Sequence, residues 1–406
     1  MPTAAPVLTI NGGSSSIKFA LFRMGDPPRR GLHGKIERIG LQGTTFAFND
    51  PTRKRQDDQA IGHLDNRAAA NYLVDWLGNQ IDLSSITSVG HRLVNGGAIY
   101  REPLSVTREV LDELRRISSY APEHLPSEID LIDLISERMP GVPQVACFDT
   151  AFHRDMPRVA KILPIPRRFA AKGVERYGFH GLSYEFLRDE LARVAGVEAA
   201  KGRLILCHLG NGSSLAAVRN GKSVDTSMGF TPAAGVPMST RSGDLDPGLG
   251  WYFAQTERMT AQQFHCMVNQ ESGLLGISET SSDLRDLLRH EASDVRAADA
   301  ISLFCYQVKK WIGAFAAALG GLDTLVFSGG IGENAPVIRA RICEGLGFLG
   351  VDFDDTRNAA GGSVITAEKS RVEVRVIRTD EDVIIAKAVF RILAGTPASQ
   401  RDHSEE

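Results

Sequence analysis

Short apolar runs that end in glycine alternate along this chain with longer stretches in which apolar side chains recur at helical spacing. Val7–Ile10 predicts a buried strand, Asn11-Gly12-Gly13-Ser14-Ser15-Ser16 a turn, and Ile17–Phe22 a returning strand. The same design recurs later. Arg203–Leu209 reads as a strand and Gly210-Asn211-Gly212-Ser213-Ser214 as a turn, and Leu215–Val218 returns toward the hairpin signal Asn220-Gly221. The repetition points to two related halves. Helical spacing marks Val110–Ser118, Glu128–Arg138 (apolar at Ile129, Leu131, Ile132, Leu134 and Ile135), Tyr184–Val194 and Ala297–Leu319, the last stopped by Gly320-Gly321. Pro140–Pro143 is a loop before a buried strand, Val145–Phe148, that ends at Asp149. Thr324–Ser328 is another buried strand, Gly329-Gly330-Ile331-Gly332 a turn, and Pro336 the first turn of a following helix. Arg378–Asp382 leads into a last helix, Val383–Leu393.

Alternating strands and helices predict an α/β architecture. The boundary is expected at Asp149–Thr150, giving an N-terminal domain over 1–149 and a C-terminal domain over 150–382. A helix over about 383–395 would fold back on the first domain, and 396–406 would form a polar tail.

Composition narrows the function classes. With 43% hydrophobic and 23% charged residues in 406, the chain is of globular type, which excludes disorder and collagen-like repeats. Lys+Arg 46 against Asp+Glu 49 leaves a net charge of −3, so no basic field points to nucleic acid or an anionic membrane. The apolar runs, Ile312–Leu319 among them, stop well short of the ~20 residues a membrane span needs. Ala4–Ile10 lacks a basic flank, so it is not read as a signal peptide. Cys147, Cys207, Cys266, Cys305 and Cys343 are odd in number and form no Cys-x-x-Cys pair, a pattern of reduced cytosolic thiols.

Three glycine turns follow apolar strands: Asn11–Ser16, Gly210–Ser214 and Gly329–Asn334. Such turns expose backbone N–H groups and let the chain approach a phosphate closely. None is a Walker loop, because Ala216 stands where Asn220-Gly221-Lys222-Ser223 would need its first glycine. None is a Rossmann turn either, since Leu215 and Ala335 occupy the last glycine positions. Arg92 in His91-Arg92-Leu93-Val94 and Arg241 in Ser239-Thr240-Arg241-Ser242-Gly243-Asp244 are either structural ion pairs or planar forks for anionic oxygens. His124, Asp149, His153, His180, Asp244 and Asp246 complete the candidate set. Their spacing matches no zinc motif, and His153 and His208 taken alone read as hydrogen-bonded structural residues.

Together these segments resemble the acetate kinase family. The resemblance runs in order through Asn11–Lys18, Phe148-Asp149-Thr150-Ala151-Phe152-His153, Tyr177–Gly181, His208–Ser214, Asp225–Pro232, Thr240–Asp246, Gly329–Asn334 and Thr379-Asp380-Glu381. It implies two similar domains of the actin/Hsp70/sugar-kinase type, a duplicated ribonuclease H-like fold with an interdomain cleft. It also implies ATP or ADP as nucleotide, Mg2+ (or Mn2+), a cytoplasmic homodimer and a short-chain carboxylate substrate. Position by position, Asn11 and Glu381 match the metal positions, Arg92 and Arg241 the substrate-side arginines, and Asp149 the catalytic aspartate. His180 matches the imidazole that contacts the transferring phosphoryl. Val94, Phe179 and Pro232 match an apolar pocket. Lys18, His208-Leu209-Gly210-Asn211-Gly212, Asp283-Leu284-Arg285 and Gly330-Ile331-Gly332-Glu333-Asn334 match nucleotide-binding stretches.

The departures cluster toward the substrate side. Asn95 and Ala98 stand where the family usually has His and Glu, and Glu123 and Leu125 where it has Leu and Asn. Leu182 and Tyr184 replace a usual Thr and His, and Ala233-Ala234 a usual Leu-Glu. Glu123 would turn to solvent, pair with a cation such as Arg92 or His124, or meet a polar substrate tail. A carboxylate of pKa about 4–5 is already ionised at neutral pH, so transfer to it needs charge neutralisation and no general base. The expected activity is phosphoryl transfer from ATP to acetate. Small residues at Gly330-Ile331-Gly332 leave room for a purine, so ATP is expected over pyrophosphate. The alternatives are a kinase for propionate, butyrate or a polar acid, a sugar kinase, or a non-catalytic actin-like nucleotide-binding protein.

Overall fold

Strand β1 (Val7–Gly12) is the spine of the first sheet. Its apolar residues are buried, and it pairs on one side with antiparallel β2 (Ser16–Arg23) and on the other with parallel β6 (Ser88–Leu93). The computed structural model describes residues 6–13, 15–40 and 42–395; Ser14 of the first glycine turn and the expected polar tail over 396–406 lie outside them. The chain forms two compact units, one running to Ala151 and resuming at Asp380, the other Phe152–Thr379.

The first unit has an eight-stranded sheet among the described residues, ordered β5-β4-β3-β2-β1-β6-β8-β7. Its remaining strands are β3 (Arg29–Glu37), β4 (Thr44–Asp50), β5 (Arg55–Gly62), β7 (Leu104–Ser105) and β8 (Gln144–Phe148). The meander β3–β5 was not foreseen. β5 carries Arg-Gln-Asp-Asp-Gln, is almost wholly exposed, and owes its conformation to the ladder with β4 and not to any apolar alternation. The helix Asn66–Gln80 was also missed, because alanines at 69 and 70 dilute the buried stripe completed by Leu73, Val74 and Leu77. Asp65 caps it, accepting the Ala68 N–H at 2.7 Å.

The second unit has a five-stranded sheet, β11-β10-β9-β12-β13, from β9 (Leu204–Leu209), β10 (Ser213–Arg219), β11 (Lys222–Thr226), β12 (Thr324–Ser328) and β13 (Glu373–Val376). Strands β3-β2-β1-β6-β8 and β11-β10-β9-β12-β13 share one pattern: two antiparallel pairings followed by two parallel ones. The halves suspected from the glycine turns are therefore duplicates in topology. Asn220 and Gly221 both take positive φ, 52° and 72°, in the hairpin between β10 and β11. The helix Val295–Leu319 lies along the core of this unit, buried at Phe304, Val308, Ile312 and Phe315, and ends at Gly320 in a left-handed cap.

One expected turn proves to be a helix. Gly329–Asn334 is helical, and its first residue, at φ 76°, must be glycine because a Cβ there would lie 2.6 Å from the Leu209 carbonyl. The Glu333 carboxylate then accepts the Gly329 N–H at 2.9 Å, and Pro336 opens the next helix, Pro336–Cys343. Among the described residues no helix is long and apolar enough to cross a membrane. All five cysteines are free thiols.

The last helix, Glu381–Gly395, packs on β1 and β6 through a contact that only glycine permits. A Cβ at Gly90 would stand 2.5 Å from Ile385 Cγ2 and 2.6 Å from Val389 Cγ2. Gly90→Val should therefore lever this helix off the sheet and cost about 1–3 kcal/mol. A urea unfolding midpoint equal to that of the unaltered protein would refute this packing.

Candidate active site

Register brings the first set of side chains together. Asn11 on β1 lies opposite Arg92 on β6, and Arg92 lies opposite Cys147 on β8. Asp149 follows β8 directly, its N–H bonded to the Leu93 carbonyl at 2.9 Å. Asn11, Arg92 and Asp149 thus leave the carboxyl ends of three neighbouring parallel strands, the position where open α/β sheets bind ligands.

Arg92 is held on several sides. Its Nε and Nη2 donate to Asp149 Oδ2 at 3.2 and 2.6 Å, and its Nη1 donates to the Gly12 carbonyl at 3.1 Å and to Glu128 Oε1 at 2.9 Å. The other Glu128 oxygen accepts the Val94 N–H at 2.8 Å. Both carboxylates are buried, Asp149 at 1% exposure and Glu128 at 3%. Burial alone would lower the guanidinium's proton affinity, but the Asp149 and Glu128 charges outweigh it and hold Arg92 above its ordinary pKa. For Glu128, burial is the stronger influence and pushes it up to about 7, against the lowering by Arg92 and the Val94 N–H.

The two positions matched to a metal also meet. Asn11 Nδ2 donates to Glu381 Oε2 at 2.7 Å. The segment carrying Glu381 is pinned by Arg30, which pairs with Asp380 and, at 3.4 Å, with Asp382. Burial raises Asp382 to about 6, with Arg30 opposing. Lys18 is exposed on β2, opposite Asn11. Val94 is buried just before a tight turn in which Asn95 Oδ1 accepts the Gly97 N–H at 2.7 Å. Glu123 is half-buried ahead of the helix Leu125–Arg138. His91, singled out only as Arg92's neighbour, is structural. Burial lowers it to about 4, and its Nε2 meets Gln144 Oε1 at 2.6 Å.

In the second unit the side chains gather around the turn after β9. His180 has φ 59° at the start of the helix Gly181–Ala195, and its Nδ1 pairs with Ser214 Oγ at 2.8 Å. Its ring stacks on His208 at 4.3 Å between centroids, and His208 Nδ1 meets Ser183 Oγ at 2.8 Å. Nearby Gly178, at φ 72°, leaves room for His153, since a Cβ there would lie 2.7 Å from the His153 ring. His153 is a buried structural residue, held by Ser223 Oγ at 2.8 Å and the Phe179 carbonyl at 3.1 Å and lowered by burial to about 4. A Cβ built on Gly212 would stand 3.2 Å from His180 Nε2 and 3.7 Å from Arg241 Nη1. Both donors therefore converge above that glycine.

Arg241 Nη1 also reaches the Pro232 carbonyl at 3.4 Å, and Phe179 and Pro232 are buried. Asn211 holds the segment carrying Arg241, its carbonyl accepting the Ser239 N–H at 3.2 Å. The point a Gly210 Cβ would occupy lies 3.7 Å from the Gly330 N, so Leu209-Gly210 and Gly330-Ile331-Gly332 face each other. Glu333 is turned inward, accepting the Gly329 and Thr379 N–H groups at 2.9 and 3.1 Å, while Asn334 Nδ2 donates to the Gly330 carbonyl at 2.9 Å. Asp283 caps the helix Leu284–His290 and binds the exposed Arg285 at 2.6 Å, with Leu284 buried beneath.

Two residues of consequence escaped the sequence. Arg339, 1% exposed, donates from Nη1 to the Gly332 and Glu333 carbonyls at 2.9 and 3.0 Å and so fixes the end of the short helix. Glu128 is the other. Its signal was present, because it stands on the buried stripe Leu125, Ile129, Ile132, Ile135, where a lone carboxylate is out of place.

Two units of one strand order, each ending parallel strands in glycine turns beside arginine or histidine donors, define a duplicated α/β phosphotransferase. The chain belongs to the acetokinase family, whose pattern its residues 6–387 match. It is 43% identical over 401 residues to the propionate kinase of Citrobacter rodentium, covering 97% of this chain and 98% of that one. It is 41% identical over 394 residues to the acetate kinase of Rhodopseudomonas palustris, covering 96% and 98%. Among solved structures, the Porphyromonas gingivalis acetate kinase superposes with a TM-score of 0.85 at 36% identity, over 96% of this chain and all (100%) of that one. The Francisella tularensis propionate kinase gives 0.87 at 33% identity, over 95% and 98%.

Gly212→Ala would put a methyl group where the His180 and Arg241 donors converge. Its thermal midpoint should stay within a few degrees, while kcat/KM falls by ~10-fold or more. Unchanged kinetics in the folded variant would show that no reacting group occupies that space.

Proposed function

We propose that the protein transfers the γ-phosphoryl group of ATP, reversibly, to the carboxylate of acetate, giving ADP and acetyl phosphate. The observation that carries this is the convergence of His180 Nε2 and Arg241 Nη1 over the glycine turn at Gly212, a cradle for an anion with more than one charged oxygen. In the reaction a carboxylate oxygen bonds to the γ-phosphorus, the bond to the bridging oxygen breaks, and ADP keeps the electron pair. The nucleophile arrives ionised, so no proton moves at that step. What the protein supplies is donors for charge on the equatorial oxygens, for which Arg241, His180 and Arg92 are the candidates.

Asp149 serves as orienter. Its Oδ2 accepts from both Nε and Nη2 of Arg92 and so holds that guanidinium. Leu209–Gly212, Gly330–Asn334 and Asp283–Arg285 would bind the nucleotide, with Lys18 near the phosphates. Val94, Phe179 and Pro232 would take the methyl group. Asn11 and Glu381 offer hard oxygen donors, which suit Mg2+ held by few protein ligands and otherwise by water and phosphate. Bound there, the ion would neutralise charge on the β- and γ-phosphates. Exposed Trp251, Tyr252, Tyr306 and Phe348 support assembly as a homodimer, and five free thiols fit the cytoplasm.

A coupled assay with a panel of carboxylates and two phosphoryl donors tests the reading. Acetate with ATP should give the highest kcat/KM, propionate should follow, and pyrophosphate should not replace ATP. Faster turnover with pyrophosphate, or turnover of a sugar and no carboxylate, would contradict it.

A further inference from the structure

Arg92 is bound to two carboxylates, although one would neutralise it. Asp149 takes Nε and Nη2, while Glu128 and the Gly12 carbonyl take Nη1, so a single Nη2 N–H is left for a ligand. With both acids ionised the group carries one net negative charge, beside a residue that is read as receiving an anion. Glu128 also joins two parts of that region, because its second oxygen holds the backbone N–H of Val94. A leucine on the same helical face would avoid burying a charge, which costs several kcal/mol unless the charge is well partnered.

We propose that Glu128 is a positioning residue for phosphoryl transfer: it locks the Arg92 guanidinium against the Val94 backbone so that the remaining Nη2 N–H meets the reacting oxygens, and it does so at the expense of substrate-anion affinity. This rests on reading the chain as a carboxylate kinase with Arg92 on the substrate side. The two effects have opposite kinetic signatures. The added negative charge weakens binding of the free carboxylate, whereas fixed donor geometry favours the transition state. Losing Glu128's charge should therefore lower kcat without raising the KM for the carboxylate.

Arg92 from β6 and Asp149 at the end of β8 face Glu128. Arg67 of the helix Asn66–Gln80 shares a groove with it, as do Asp130 and Asp133 of its own helix, and Glu381 acts on Arg92. Burial places Glu128 at about 7, so the clamp should loosen as the pH falls below that value and protonation weakens its hold on Arg92 and the Val94 N–H.

The test compares the unaltered protein, Glu128→Gln and Glu128→Asp in acetate and ATP kinetics from about pH 5.5 to 8.5, with thermal midpoints recorded. In Glu128→Gln, kcat should fall ~10-fold or more, the KM for acetate should stay level or drop, and the KM for ATP should not move. The unaltered protein should lose kcat below about pH 7; Glu128→Gln should show no such limb. Glu128→Asp, which keeps the charge on a shorter arm, should keep the limb with an intermediate kcat. Normal kcat and an unaltered pH profile in a folded Glu128→Gln would overturn the proposal. So would a parallel loss of kcat, both KM values and thermal midpoint, the mark of a structural ion pair alone. If the unaltered protein phosphorylates no carboxylate, the activity reading fails and the proposal falls with it.

Discussion

A guanidinium held between two buried acids is the constraint around which the first unit is organised. Arg92 cannot shed its proton, so wherever it is buried it must be surrounded by acceptors. The sheet supplies them by register: β1 brings the Gly12 carbonyl, β8 leads into Asp149, and the helix Leu125–Arg138 turns Glu128 inward. Each acceptor comes from a different element, so the ion cluster also fixes how those elements meet. Removing any one acid would leave charge buried with fewer partners, a cost felt by the whole carboxyl edge of the sheet.

The second unit solves a related problem with backbone. Its glycines at 178, 212 and 329 let chains approach at distances where a Cβ would collide or crowd, and the space above Gly212 is bordered by the His180 and Arg241 side chains. An anion bound there, as proposed, would meet donors that are already in place. The shared strand order of the two units explains why both present their chemistry at the same edge of the sheet. At the carboxyl ends of these strands the first unit presents side-chain ion pairs and the second presents glycine turns.

Much of this is legible in the sequence. Strand–glycine–strand segments announced both β1–β2 and β9–β10, because a buried strand ending in small residues has few alternatives. Helices with strong stripes, such as Val295–Leu319, differed from expectation by only a few residues at their ends. What stayed hidden depended on tertiary partners. β5 has no apolar pattern of its own, and the Gly329–Asn334 helix exists because Glu333 and Arg339 satisfy its ends. Among the candidate residues, Arg92, Arg241 and His180 stood out as polar residues in glycine-rich or apolar settings. Glu128 was passed over as the first residue of a helix, although its place on the apolar stripe marked it.

The claim that Asp149 acts through Arg92 is open to a direct measurement, a double-mutant cycle in kcat with Arg92→Ala, Asp149→Asn and the pair combined. Each single change should lower kcat by ~10² or more. Because the aspartate serves to hold the arginine, the combined variant should be little worse than Arg92→Ala alone. If the two losses instead multiply, Asp149 contacts the reacting groups independently, and the account of a clamped arginine at the carboxyl edge of the sheet is wrong.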